Sequence, residues 1–258
     1  MNPIQARLSK GRTGHHHKVG KSNQFSSKNK LRQALPDSFD SRLEWPGCIH
    51  GVRNQGGCGS CWAFSTAGFL EDRFCIASNG AIDVRLSPQD LITCDHQNGG
   101  CNGGFLTPAL NYLVSHGVVS DECMPYKGET SYCTYQCADS SSSYRKYHCK
   151  AGTLKMLSDV DEIKEELMTN GPMNVGFTVY TDFMSYYSGV YEYVTGWVEG
   201  GHAVKLIGWN YLDDRLYWIL QNQWGAGWGE DGYFNVFAGE VGLDSTAFAC
   251  DPDLHEYL

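Results

Sequence analysis

The feature that most restricts the fold of this chain is its eleven cysteines, an odd number in 258 residues. In a reducing compartment so many thiols would indicate metal ligands. Only Cys58/Cys61 and Cys133/Cys137 are closely spaced, and neither pair belongs to the repeated Cys or Cys/His arrangement of a zinc site. Five disulfides and one free, reactive thiol explain the count better. We therefore expect a disulfide-bonded protein of an oxidising compartment.

The first residues carry no apolar segment of the kind that a secretory signal has. Because the disulfides imply export, we expect the N-terminus of this sequence to be incomplete or processed. No run approaches the roughly 20 apolar residues of a membrane span, so a soluble protein is expected. The length, with 41% hydrophobic residues, allows a well-buried core in one large domain or two small ones.

Charge is distributed unevenly along the chain. Residues 1–34 hold eight Lys and Arg, three His and no acid, whereas the remainder holds twelve Lys and Arg and all 29 acids, a net charge of −17. A body this acidic should repel nucleic acid. Residues 1–34 have no apolar period and are predicted to be disordered. They would be a basic tail that binds nucleic acid or an anionic membrane, or else a solvated tail or pro-segment remnant.

The hydrophobic period changes halfway along the chain. Helices are predicted at residues 60–77, 107–116 and 159–168, the last with Ser158 as its N-cap. A period of two then predicts strands at 173–179, 189–194, 202–209, 215–222 and 232–237, with a hairpin tip at 213–214. Helices followed by strands predict an α+β fold of two packed lobes with a ligand cleft between them.

The most informative motif lies at Cys58–Trp62, which matches the known signature C-G-[SA]-C-[WY] around a nucleophilic cysteine. That signature expects a His and an Asn far downstream. His202 follows Cys61 by 141 residues and Asn222 follows it by 161. The Asn lies slightly beyond the usual window, which one longer loop explains.

These residue types suit thiol catalysis. A free Cys is mostly protonated at neutral pH, and only its thiolate attacks a carbonyl. A helix N-terminus at Cys61 would favour the negative charge, and His202 would accept the proton. Asn222 would orient the imidazole. Gln55 would donate its amide to the oxyanion, beside the backbone N–H of Cys61.

Each residue taken alone has a simpler explanation. Cys58 and Cys61 could form a redox pair or half a zinc site, and His202 could be a structural histidine. Asn222 alone would indicate nothing. The three motifs in this order, with Gln55 six residues ahead of Cys61, favour the catalytic interpretation.

With these motifs the chain resembles the papain family of cysteine peptidases, and within it the cathepsin B-like branch, over about residues 35–250. The resemblance extends beyond the catalytic motifs. Further matching blocks lie at residues 35–42, 52–56, 72–76, 86–91, 101–104, 170–172, 180–183, 188–191, 200–203 and 224–234.

The resemblance implies a papain-like, two-lobed fold: a helical left lobe at about 48–145 and a β-barrel-like right lobe at about 146–258 plus an arm at 35–47. It also implies that Gly103 and Gly104 pair with the substrate backbone. Trp224 would shield the bond between Asn222 and His202 from water. The residues implied for the pocket that takes the second residue before the scissile bond are Phe105, Gly176, Ala203 and Thr246.

Disulfide pairing follows only from the resemblance, because ten cysteines allow 945 pairings. No cofactor or metal is implied. The implied partners are protein and peptide substrates and inhibitors of the cystatin type, and the implied state is a monomer in a lysosome or similar vacuole, or secreted. The implied disulfides are Cys48–Cys75, Cys58–Cys101, Cys94–Cys133, Cys123–Cys137 and, by what remains, Cys149–Cys250.

The chain departs from the family pattern at several points, and three of them concern the cleft. Gln223 stands where the family usually has Ser, and Thr246 where mammalian cathepsin B has Glu. Only nine residues separate Cys123 from Cys133, without a histidine. Cathepsin B has there a long loop with two histidines that closes one end of the cleft, so the short interval predicts an endopeptidase. The alternatives are a catalytically silent papain-fold binding protein and a scaffold that acts through its basic tail.

Overall fold

The helical half of the chain is built around one long helix. The structure, a computed structural model, describes residues 35–255 and residue 257, so the predicted basic tail at 1–34 lies outside the described residues. In chain order the helices are α1 (Ser41–Glu44), α2 (Cys61–Ala77), α3 (Pro88–Cys94), α4 (Leu106–Ser115) and α5 (Val160–Asn170).

Helix α2 is buried on all sides. Every residue from Trp62 to Cys75 except Gly68 is buried, as expected of a helix that is apolar around most of its circumference. It packs against α3 and α4, and their shared core includes Leu91 and Leu113. Its other face packs against the sheet of the second half. Helix α2 therefore lies between the two halves of the protein.

The second half is one mixed sheet of eight strands in the order β2-β8-β3-β5-β6-β7-β4, with β1 added on β5. All pairs are antiparallel except β4 with β7. Helix α5 contributes Ile163 and Leu167 to the apolar core of the sheet. The strands are β1 (Phe39–Asp40), β2 (Lys155–Leu157), β3 (Met173–Tyr180), β4 (Val190–Tyr191), β5 (Val198–Leu212), β6 (Arg215–Gln221), β7 (Tyr233–Phe237) and β8 (Ala247–Ala249).

The predicted α+β architecture is confirmed, with several local differences. Asp159, not Ser158, caps α5, because its carboxylate accepts the N–H groups of Asp161 and Glu162. The helix also continues to Asn170 and ends at Gly171, whose φ of 95° favours glycine. The strand predicted at 189–194 is only β4, and β5 begins four residues earlier than predicted. The short elements α1, α3, β1, β2 and β8 were not predicted.

The two halves are joined by buried polar contacts as well as by packing. Asp72 in α2 forms an ion pair of 2.5 Å with Lys205 in β5. Asn174 in β3 donates its side-chain amide to the Thr66 hydroxyl at 2.8 Å. These contacts fix β5 and β3 against the helix that begins at Cys61. No helix among the described residues is long and apolar enough to cross a membrane.

Candidate active site

A cavity of about 590 Å³ opens where the N-terminus of α2 faces strands β3 and β5. No Lys, Arg, Asp or Glu is among the described residues that line it, so its walls are neutral apart from what Cys61 and His202 supply. The lining residues are Cys61, Gln97, Asn98, Gly99, Asn102, Gly103, Gly104, Phe105, Leu106, Gly176, Phe177, Gly201, His202 and Ala203.

Cys61 is the first residue of α2, with Ser60 as the N-cap position. The preceding loop is held by the disulfide between Cys58 and Cys101 and by the bond from the Gly59 N–H to the Cys101 carbonyl. Of the described residues, Cys61 is the only free cysteine. First-turn N–H groups have no acceptor within a helix. The thiol therefore lies at the positive end of a helix, and its fixed loop presents it to the cavity.

His202 lies in β5, between the rings of Phe177 and Trp224, with centroid distances of 5.6 and 4.7 Å. Its Nε2 is 2.8 Å from Asn222 Oδ1. The same oxygen accepts the backbone N–H of Gln223 at 2.9 Å, which identifies it as the carbonyl oxygen of the amide. His202 must then donate from Nε2, and Nδ1 is the nitrogen that can accept a proton.

Burial shifts the pKa of both reacting groups towards the neutral form. It raises the pKa of the Cys61 thiol, against the opposing effect of the backbone N–H groups of Ala203, Trp62 and Cys61 itself. It lowers the pKa of His202 to about 4, against the opposing hydrogen bond to Asn222. Each group alone is therefore harder to ionise than in water.

Proton transfer between the two groups is a different process, because it creates both charges together. At a separation of about 4 Å and an effective dielectric constant of about 20, their attraction is about 4 kcal/mol. That energy equals about three pKa units. An attraction of this size opposes the burial penalty of both groups, so burial of each group alone does not exclude an ion pair of Cys61 and His202.

Gln55 is buried beside the site but does not line the cavity. Its side-chain Nε2 donates to the Cys58 carbonyl at 2.9 Å. An amide nitrogen has two N–H groups, so one remains for another acceptor. The backbone carbonyl of Gln55 accepts the Tyr126 hydroxyl at 2.6 Å, which fixes the residue at this position.

Five of the seven residues implied for substrate binding line the cavity. Gly103, Gly104 and Phe105 form one wall, and Gly176 and Ala203, paired in the β3–β5 ladder, form the other. Trp224 does not line the cavity and instead stacks on His202. Thr246 does not line it either, but directly precedes β8, which pairs with β3 at Val175.

Sequence analysis missed the side chain that shapes the first wall. Asn98 Oδ1 accepts the Phe105 N–H at 2.7 Å. A Cβ atom on Gly104 would lie 2.7 Å from Asn98 Oδ1 and equally close to the Trp62 ring, so only glycine fits there. The available signal was a polar, glycine-rich run, which predicts a loop but not which side chain folds back onto it.

The five disulfides of the structure are the same pairs that the resemblance implies. Cys48–Cys75 joins the segment before α2 to the last turn of α2, and Cys58–Cys101 joins the loop before Cys61 to the segment after α3. Cys94–Cys133 joins the end of α3 to the segment after α4, and Cys123–Cys137 lies within that segment. Cys149–Cys250 joins the two ends of the second half.

Comparison with known proteins agrees with this geometry. The family described as "Papain family cysteine protease" matches residues 35–250. "Cathepsin B-like CP2" of Giardia intestinalis is 44% identical over 224 residues, which are 83% of this chain and 74% of that protein. "Cathepsin B-like cysteine proteinase 5" of Caenorhabditis elegans is 38% identical, over 87% and 76%. The solved structure "proCathepsin B S9 from Trypanosoma congolense" superposes with a TM-score of 0.82 and 38% identity, over 88% of this chain and 81% of that one.

Proposed function

The chain belongs to the papain family of cysteine proteases, in its cathepsin B-like branch, and from this premise we propose that it is an endopeptidase acting through Cys61 and His202. One observation carries the proposal: the only free cysteine of the described residues begins a helix and opens onto a cavity that it shares with His202. A silent binding protein of this fold would have no need to keep this thiol free or to orient this imidazole.

In the proposed reaction, His202 takes the proton of Cys61 and the thiolate attacks the carbonyl carbon of the scissile bond. The resulting oxyanion accepts the backbone N–H of Cys61 and the second side-chain N–H of Gln55. His202 then protonates the leaving amine as the C–N bond breaks, which leaves a thioester on Cys61. Water, deprotonated by His202, attacks the thioester and releases the acid, and the proton returns to the thiolate. Asn222 keeps the imidazole oriented in both steps.

Support for internal cleavage comes from the segment between Cys123 and Cys133. Gln89 of α3 holds it at both ends of one turn, by accepting the Lys127 N–H and donating to the Glu129 carbonyl. The Thr130 hydroxyl accepts the N–H of Cys101. None of residues 124–132 lines the cavity. The position of this segment outside the cavity lining supports the proposal of an open cleft.

The test compares one peptide in free-acid and amidated forms. We expect both forms to be cut at the same internal bond with similar kcat/KM, because the cavity lining offers no cation for a terminal carboxylate. Stepwise loss of dipeptides from the free acid alone would refute the proposed cleavage mode. The control is Cys61→Ala, which should fold and not cleave. An epoxysuccinyl inhibitor should label the parent protein and not this variant.

We also propose an apolar preference at the pocket for the second residue before the scissile bond. Leu106, Gly176 and Ala203 contribute neutral surface there.

Binding by protein inhibitors of the cystatin type would use the same open cleft. Because five disulfides persist best in an oxidising environment, a lysosome-like vacuole or secretion is the proposed location.

A further inference from the structure

Gln223 directly follows Asn222 and is 5% exposed. Its backbone N–H donates to Asn222 Oδ1 at 2.9 Å, and its backbone carbonyl accepts the Gln55 N–H at 2.9 Å. Its side-chain Nε2 donates to the Ala203 carbonyl at 2.7 Å. One buried residue thus contacts Asn222 and Gln55 directly, and also contacts Ala203, which follows His202 in the chain.

The side-chain contact occurs where regular pairing stops. The β5–β6 ladder pairs Lys205 with Gln221 and extends no further towards Ala203. Beyond it, the Asn222 N–H bonds instead to the Gly232 carbonyl. The Ala203 carbonyl can only accept, so the atom of Gln223 that faces it must be the amide nitrogen. A side chain two atoms shorter, such as serine, would not reach as Gln223 does.

We propose that Gln223 is a positioning residue of this active site, holding the Ala203 carbonyl and so fixing the strand segment that carries His202. The proposal rests on the proposed function. Ala203 follows His202 directly, and its N–H opposes the rise that burial causes in the pKa of the Cys61 thiol. Anchoring the Ala203 carbonyl would keep this N–H and the neighbouring imidazole of His202 in fixed positions relative to Cys61.

The first test uses Gln223→Met, which keeps the length of the side chain and removes its donor. A matched control exists two residues earlier. Gln221 is 6% exposed and also donates its side-chain amide, to the His50 carbonyl at 2.8 Å and the Tyr233 hydroxyl at 3.2 Å, neither of which belongs to a proposed catalytic group. Gln223→Met should lower kcat roughly tenfold with KM within about twofold, and Gln221→Met should change neither.

The second readout is the pH dependence of alkylation of Cys61 by iodoacetamide. Since only the thiolate reacts, loss of the fixed Ala203 N–H should move this profile to higher pH in Gln223→Met and not in Gln221→Met. Urea unfolding should show a stability loss in both variants, and one at least as large in Gln221→Met, because its amide donates to two acceptors and that of Gln223 to one. The proposal is overturned if Gln223→Met keeps the parent kcat and alkylation profile, or changes them no more than Gln221→Met does.

Gln223→Glu provides a variant of the same shape whose donor depends on pH. When protonated, its carboxyl O–H can donate to the Ala203 carbonyl, and when ionised it repels that oxygen. Burial should raise the pKa of this carboxyl. Its kcat relative to the parent should therefore be near one at low pH and fall as the pH rises. A ratio that is constant with pH would count against the positioning role, even if Gln223→Met failed to fold.

Failure of the proposed function has a different signature. If the parent protein were not labelled by the epoxysuccinyl inhibitor, or if Cys61→Ala cleaved peptides as the parent does, the catalytic assignment itself would be wrong. If the parent is labelled and active and the variants at 223 match the control, only the inference about Gln223 fails.

Discussion

The ion-pair network around His50 makes a prediction about acid stability. His50 Nδ1 lies 2.9 Å from Asp72 Oδ1, and Nε2 lies 2.8 Å from Asp83 Oδ1. A neutral imidazole has one N–H, so it would turn a lone pair towards one of these carboxylates. Burial lowers the pKa of His50, but the bonds to Asp72 and Asp83 and the charge of Glu71, 3.8 Å away, outweigh it and raise the pKa.

The sign of the pH effect follows from this direction. The folded pKa lies above the unfolded value of about 6.5, so the stabilisation is complete below about pH 6.5 and is lost as the pH rises through the folded pKa. The bond to the fully buried Asp72 should contribute about 1.5–3 kcal/mol. The Asp83 side chain is 61% exposed, so its pair adds at most about 1 kcal/mol. Asp72 is also paired with Lys205 at 2.5 Å, which keeps the total near the lower end.

The measurement is urea unfolding of His50→Gln in a Cys61→Ala background, which prevents self-cleavage. We expect the variant to lose about 2 kcal/mol of unfolding free energy at pH 5, which corresponds to roughly 4–8 °C in Tm. This loss should become smaller towards pH 9. His116→Gln is the control, because His116 is exposed and forms no ion pair with any described residue: its Nδ1 lies 2.7 Å from the Ser115 hydroxyl and its ring stacks on Tyr112 at 4.9 Å. An equal loss at both pH values, or an equal loss in the control, would refute the reasoning.

Three further predictions concern the lobe interface and the site. Arg73→Met should cost about 3–5 kcal/mol in urea unfolding, because the buried guanidinium donates to Glu166 and to three backbone carbonyls. Trp224→Ala should reduce the burial of His202 and so raise its pKa from about 4. NMR titration in the Cys61→Ala background measures this pKa, and an unchanged value would show that the Trp224 ring does not bury His202. Thr246→Glu should change the preference at the second residue before the scissile bond: the ratio of kcat/KM for Arg to kcat/KM for Phe should rise about tenfold, or about 1.4 kcal/mol. An unchanged ratio would place Thr246 outside the pocket.

The sequence was sufficient to predict that His202 and Asn222 come together, because thiol catalysis requires these residue types in this order. The Cys58–Trp62 signature is a local unit, a turn followed by the start of a helix. It can therefore be identified from consecutive residues. His202 and Asn222 lie 20 residues apart, and the structure joins them by one hydrogen bond of 2.8 Å. The Asp213-Asp214 tip was equally local, and both residues have the positive φ that a tight hairpin requires.

Elements without a periodic pattern were not predictable in the same way. Helix α3 has seven residues, all buried, so no polar face marks a helical period. Its start signals were present, with Ser87 as N-cap and Pro88 in the first turn. Strands β1, β2 and β8 have two or three residues and are defined by their partners. The bond from Gln223 to Ala203 likewise depends on where the β5–β6 ladder ends, which is a property of the folded sheet.

The geometry of the site depends on contacts outside the cleft. Cys61 begins α2, and Asp72 follows eleven residues later, about 16 Å along the same helix. His202 and Lys205 lie three residues apart in β5. The buried pair of Asp72 and Lys205 therefore joins the same helix and the same strand that bring the thiol and the imidazole together. Removing one partner of a buried pair leaves an uncompensated charge at a cost of about 3–5 kcal/mol. This pair therefore contributes both to stability at the interface and to the placement of the helix and strand that carry Cys61 and His202.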